Sequence, residues 1–208
     1  MSIVDIALWR DIQRHLANQL GIDLRPDGDP GGATARAVAQ ALGLIRTVPA
    51  AEVAVSQWPR DRRAEMDAFY GAPGNHLTQI VPPYPLKYDG KVVPKITVHE
   101  KIAPAVLRVL QQVLDYYGMT KIKALKLDVY DGCFNNRPKR GGSTLSTHAY
   151  GCAIDWCAED NSLKQDHTTA RFAKPEYEAW WRAWEAEGAV SLGRARDFDW
   201  MHVQFARL

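Results

Sequence analysis

Apolar positions in the first forty residues recur at helical spacing. Ile6, Trp9, Ile12 and Leu16 fall at three- and four-residue steps and mark one helix face, with Gly21 as the stop. The cluster "DGDPGG" then reads as a turn, and Thr34 opens a second helix through Ala37, Val38 and Leu42. Residues 46–57, with Pro49 among small side chains, read as a linker. The pattern divides the chain into a small all-α module over 1–46, a linker over 47–57 and a larger domain over 58–208.

In the larger domain the spacing predicts a short helix over 61–70. An irregular Pro- and Gly-rich stretch with short strands follows over 72–95. "HEKIAPAVLRVLQQVLDYYG" places Ile102, Val106, Val109, Leu110 and Val113 on one face and predicts the strongest helix, with Pro104 in its first turn and Gly118 as its end. "IKALKLDVYDG" alternates Ile122, Ala124 or Leu125, Leu127 and Val129 and reads as a strand. "GCAIDWCAE" and "DWMHVQFA" read as two more strands. Between them "PEYEAWWRAWEAEGAV" is a helix with Trp180, Trp181 and Trp184 on or near its core face. This order predicts an α+β fold, a small antiparallel sheet flanked by helices and preceded by the all-α module.

Composition narrows the function. With 46% hydrophobic and 24% charged residues among 208, the chain has the balance of a globular protein. A net charge of +2 offers nucleic acid no strong attraction. The opening "MSIVDIALWRDIQRHL" lacks the continuous apolar core of a signal peptide, and no stretch reaches the roughly 18–20 apolar residues of a membrane span. The expectation is synthesis in the cytoplasm, with any work outside following release by another route. Three cysteines, Cys133, Cys152 and Cys157, have no CxxC spacing, which argues against a disulfide framework and a zinc ribbon.

The candidate chemistry lies in "STHAYGCAIDW" and "DFDWMHVQF". His148, Asp155 and His202 form a set of three zinc-type ligands that leaves a fourth position for water. Gly151 can turn the chain so that His148 and Asp155 converge, and the last strand would bring His202 beside Asp155. Asp199, three residues before His202, is placed to act as a general base. Each residue alone has a plain structural role, as core histidine, capped acid or turn aspartate. Together they point to a metal site, because a carboxylate between apolar neighbours needs a partner or a metal.

"STHAYGCAID" fits the SxHxxGxAxD signature, and "DWMH" the [DE]xxH signature, of the M15 zinc metallopeptidases, which the chain resembles over 58–208. "WPRDRRAEMDAFYG" and "RPKRGGSTLSTHAYGCAIDW" are similar to phage and prophage members. "IQRHLANQLG" with "DGDPGGATARAV" resembles the peptidoglycan-binding type 1 module, although the further helix usual in that family is replaced by "RTVPAAEVAVSQWP".

These resemblances imply one Zn²⁺ per chain on His148, Asp155 and His202, with Asp199 as general acid/base. They imply an arginine facing the substrate or oxyanion. Arg137, which follows "CFNN", is preferred over Arg140, which opens the Gly-Gly loop. Ser146 is expected to orient a ligand or substrate, and Trp200 to border the cleft. The activity implied is hydrolysis of an amide bond in the peptide of peptidoglycan, L-Ala–D-Glu in particular, by a monomeric endolysin released through a phage holin. D-Ala–D-Ala carboxypeptidase action and a non-catalytic zinc-containing wall-binding protein are the alternatives.

Overall fold

The computed structural model describes residues 3–20, 24, 26, 28, 34, 37–38, 41–42 and 57–208. The chain forms two compact units, Met1–Glu52 and Val53–Leu208.

In the first unit α1 spans Ile3–Leu20. Its buried Leu16 meets Leu24 and Ala37, with Ile12, Ala17, Val38 and Ala41 packed around them. Gln13 is buried here, and its amide both receives the Gly28 N–H and donates to Thr34 Oγ1. A buried amide satisfied on both sides joins the loop to the helix at little cost. Thr34, Ala37, Val38 and Ala41 are helical. Leu42, expected on the second helix's apolar face, instead lies in a turn and is 68% exposed, because the helical face turns inward at Ala41. Gly21, and the expected linker apart from Gln57, lie outside the described residues.

The second unit starts with α2 (Arg63–Tyr70), which buries Met66 and Tyr70. Strand β1 (Leu77–Ile80) pairs antiparallel with β4 (Ile96–His99), and β2 (Leu86–Tyr88) with β3 (Lys91–Val93). Asp89 and Gly90 join β2 to β3 with positive φ at both positions, as a two-residue hairpin turn requires. Helix α3 runs over Ala103–Ala124, with Pro104 in its first turn. Gly118 (φ 65°, ψ 162°) breaks it internally rather than ending it. The chain then gains another helical stretch, with Lys121 and Lys123 at the negative end of the helix dipole.

That extension overturns the strand expected from Ile122 to Val129. Ile122 and Leu127 are both fully buried, but they sit on a helix end and the turn after it, closed by Leu127 N–H to Ile122 O at 2.9 Å. The strand itself narrows to β5 (Tyr130–Gly132).

The main sheet is antiparallel, in the order β5–β6–β8–β7, with β6 at Ala153–Trp156, β7 at Val190–Ser191 and β8 at His202–Gln204. Helix α4 (Glu178–Ala186) supplies Trp180, Trp181 and Trp184, and α5 (Leu192–Arg196) follows β7. Trp156 of β6 stacks edge-on against Trp180 at 5.2 Å, and Trp180 against Trp184 at 5.5 Å, so indoles fill the space between sheet and helix. Tyr117 of α3 takes the Trp180 N–H and donates to Glu176 O, locking α3 to the α4 region. Mixed helices and small antiparallel sheets make the fold compatible with the α+β class. Among the described residues no helix is long and apolar enough to cross a membrane.

Candidate metal centre

Backbone register builds the centre. Asp155 on β6 lies directly opposite His202 on the adjacent antiparallel β8. His148 comes from a single 3₁₀ turn, Thr147–Tyr150, that ends at Gly151 in the left-handed region (φ 65°, ψ 25°). A Cβ at Gly151 would stand 2.6 Å from Leu77 Cδ2 and 3.1 Å from the His99 backbone nitrogen. Glycine is thus required both by the turn and by the close passage of β4. Gly151 O also accepts the His99 N–H at 2.8 Å, which ties the β1–β4 pair to the turn.

Three atoms converge. His148 Nε2 is 3.1 Å from His202 Nδ1 and 3.2 Å from Asp155 Oδ1, and the last two are 3.1 Å apart. Tetrahedral zinc with bonds of about 2.0–2.1 Å would hold its ligand atoms about 3.3–3.4 Å from one another. The observed triangle is close to that. The outer nitrogen of His148, Nδ1, lies 2.6 Å from Cys133 O. A carbonyl only accepts, so Nδ1 carries the proton and Nε2 presents a lone pair to the centre. His148 and His202 are each 5% exposed, and the Asp155 side chain 16%. A lone pair, a carboxylate and a second imidazole at this spacing repel unless a cation or protons sit among them. Burial pushes the Asp155 carboxyl up, but His148 and His202 outweigh it and hold it below the usual range. Burial pushes His202 down, and Asp155 reverses this to a net rise. A cation would satisfy all three at once; His148, Asp155 and His202 could hold a metal ion.

Asp199 stands beside this triangle. It is 8% exposed, sits in the left-handed region (φ 56°), and its Oδ1 is buried without a hydrogen-bond partner. Burial raises its carboxyl above the usual range, against the opposing pull of His202, His148 and Arg140. A carboxyl so poised can exchange a proton with a group in the cleft.

The centre opens into a cleft of about 400 Å³. Arg137, Lys139, Arg140 and Arg196 bring positive charge to its lining, and Leu163, Leu192, Phe198 and Met201 bring apolar surface. Arg137 is half-buried and donates to Pro138 O at 3.1 Å, whereas Arg140 is exposed. Both lie on a short hairpin closed by the Pro138–Leu145 bridge and by Lys139 N–H to Thr144 O. Lys139 ties that hairpin to Asp61 through a 2.5 Å ion pair. Ser146 lines the cleft, and its Oγ accepts the His148 N–H at 3.3 Å, so it caps the turn that carries His148.

Trp200 does not line this cleft. Its ring lies against Gly193, meets Trp181 at 6.3 Å, and donates its N–H to Asp197, so packing draws it to the far side of its turn. The exposed aromatic ring at the cleft is Phe198 instead.

The other histidines stand apart. His99 is fully buried at the end of β4 and bonded to Tyr70 O. His76 pairs with Glu100, His167 pairs with Asp197, and His15 is exposed on α1. All three cysteines are free and buried, as small apolar side chains are. Sequence reasoning missed Gln204, Arg196, Phe198 and Lys139. Of these only Gln204 had a signal, the two-residue strand period counted on from His202.

Compared with known proteins, the chain matches no family model, no curated protein and no solved structure.

Proposed function

We propose that the protein is a zinc-dependent peptidase that hydrolyses an amide bond in the stem peptide of peptidoglycan, acting as an endolysin-like L-Ala–D-Glu endopeptidase. One observation carries the reading. Two imidazole nitrogens and a carboxylate oxygen lie 3.1–3.2 Å from one another, beside a buried Asp199 whose Oδ1 has no partner. The motif resemblance gives the substrate class, and the cleft is compatible with it. Its arginines suit a peptide rich in carboxylates, and its apolar lining suits small alkyl side chains.

His148, Asp155 and His202 would hold the ion. When bound, zinc supplies Lewis acidity toward the scissile carbonyl and makes water acidic enough to ionise near neutral pH. Asp199 takes the proton of the attacking water and returns it to the departing nitrogen, a shuttle worth about 10²–10⁴-fold in rate. Arg137, half-buried at the cleft, donates to the developing oxyanion, while Arg140 and Ser146 help hold the peptide. Leu163 and Met201 exclude bulk water from the reacting atoms.

The test is digestion of purified peptidoglycan by the wild type and by Asp199→Asn, with zinc content measured on both and products read by mass spectrometry. Asparagine tolerates the left-handed backbone at this position, so the substitution removes the base and keeps the shape. New peptide termini from the wild type, together with a metal-loaded but inactive variant, support the reading and name the bond. Zinc-loaded wild type that binds walls without cutting them replaces it with a wall-binding role.

A further inference from the structure

We propose that Gln204 is a positioning residue that decides which nitrogen of His202 faces the metal. Two residues apart on β8, the two side chains share one face of the strand and both line the cleft. Gln204 is only 2% exposed, so its amide must find partners within the protein.

Those partners fix its orientation. Gln204 Nε2 donates to Ala206 O at 2.9 Å. The reversed amide would set its oxygen against that carbonyl, two acceptors at hydrogen-bond distance. The amide oxygen therefore faces inward, where it lies 3.1 Å from His202 Nε2 and 3.4 Å from Thr147 Oγ1. An amide oxygen only accepts, so His202 Nε2 carries the hydrogen. In the neutral ring that a metal requires, the lone pair is left on Nδ1, the atom 3.1 Å from Asp155 Oδ1 and from His148 Nε2. The two histidines thus present unlike nitrogens to one point. Cys133 O sets His148 and Gln204 sets His202. The amide orients the ring without adding a second negative charge, so the three ligands carry a single formal charge between them. Thr147, in the same turn as His148, touches the same amide oxygen and couples the two ligand-bearing elements.

This rests on the metal reading of the site, but not on peptide hydrolysis. The experiment compares wild type, Gln204→Glu and Gln204→Met. Zn²⁺ affinity is measured by competition with a chromophoric chelator, and the His202 ring tautomer of the zinc-loaded proteins by ¹⁵N NMR. Gln204→Met should lose about 10–100-fold in affinity, the usual cost of removing a partner behind a ligand. It should also lose the single Nε2–H tautomer, while Gln204→Glu, which keeps the acceptor toward Nε2 although it sets an oxygen against Ala206 O, keeps the tautomer. A merely structural role would lower the melting temperature of Gln204→Met and leave its tautomer and affinity at wild-type values, which overturns the proposal. So does an Nδ1–H tautomer in the wild type. If wild type binds no divalent cation, the metal reading falls and with it the ligand role of Gln204.

Discussion

Gly151→Ala tests the backbone argument that underlies the whole centre. The residue occupies φ 65°, ψ 25°, where a side chain costs about 1–2 kcal/mol. The new methyl would also stand 2.6 Å from Leu77 Cδ2 and 3.1 Å from the His99 nitrogen. Leu77 can shift, but the strand backbone cannot do so without disturbing the Gly151 O to His99 N–H bond at 2.8 Å. Overpacking of this kind adds about 1–3 kcal/mol. The sum is about 2–5 kcal/mol, read as a lower denaturation midpoint of the metal-free protein in urea. Metal affinity should fall with it, because His148 and Asp155 flank the turn. A double-mutant cycle with Leu77→Ala separates the parts: relief of the side-chain clash appears as favourable coupling, and the backbone cost remains. A loss below about 1 kcal/mol would refute both parts of the argument. Strict additivity with Leu77→Ala would refute the clash alone.

Other outcomes follow from single contacts. Tyr70→Phe removes the 2.5 Å hydrogen bond to Phe205 O and leaves a buried carbonyl unpaired, which should cost about 1–3 kcal/mol in chemical denaturation. Arg137→Ala should reduce turnover of peptidoglycan fragments by about 10²–10³-fold, the scale of a lost oxyanion donor, with Arg140→Ala weakening mainly KM. Equal effects on kcat would reverse the assignment of the two arginines. His167 is raised above its ordinary value by its hydrogen bond and charge pairing with Asp197. A raised folded pKa means that its contribution is full below the unfolded value, near 6.5, and is lost as pH rises through the folded one. NMR titration should show Asp197→Asn returning His167 toward 6.5; a midpoint that stays raised in the variant would refute the pairing as the cause.

Local signals carried much of this protein in the sequence. Helical spacing marked α1, α3 and the tryptophan face of α4, because a buried helix face repeats every three or four residues whatever it packs against. Metal-capable side chains around Gly151, with a histidine three residues after Asp199, marked the centre, since a turn glycine and ligand chemistry are written in short stretches. Where two structures share one pattern, the sequence was ambiguous. Ile122, Ala124 or Leu125, Leu127 and Val129 read as a strand, yet Ile122 lies on a helix extended past Gly118, and only packing chose between the two. Trp200 could have turned toward the cleft, and it was the space over Gly193 and the edge of Trp181 that drew it away. The arginines had no period to place them at all. Pairing register alone set Asp155 opposite His202, and an amide held by Ala206 O selected the nitrogen that faces it. Such contacts join residues far apart in the chain or turn on a single hydrogen bond, and so they exist only once the chain has closed on itself.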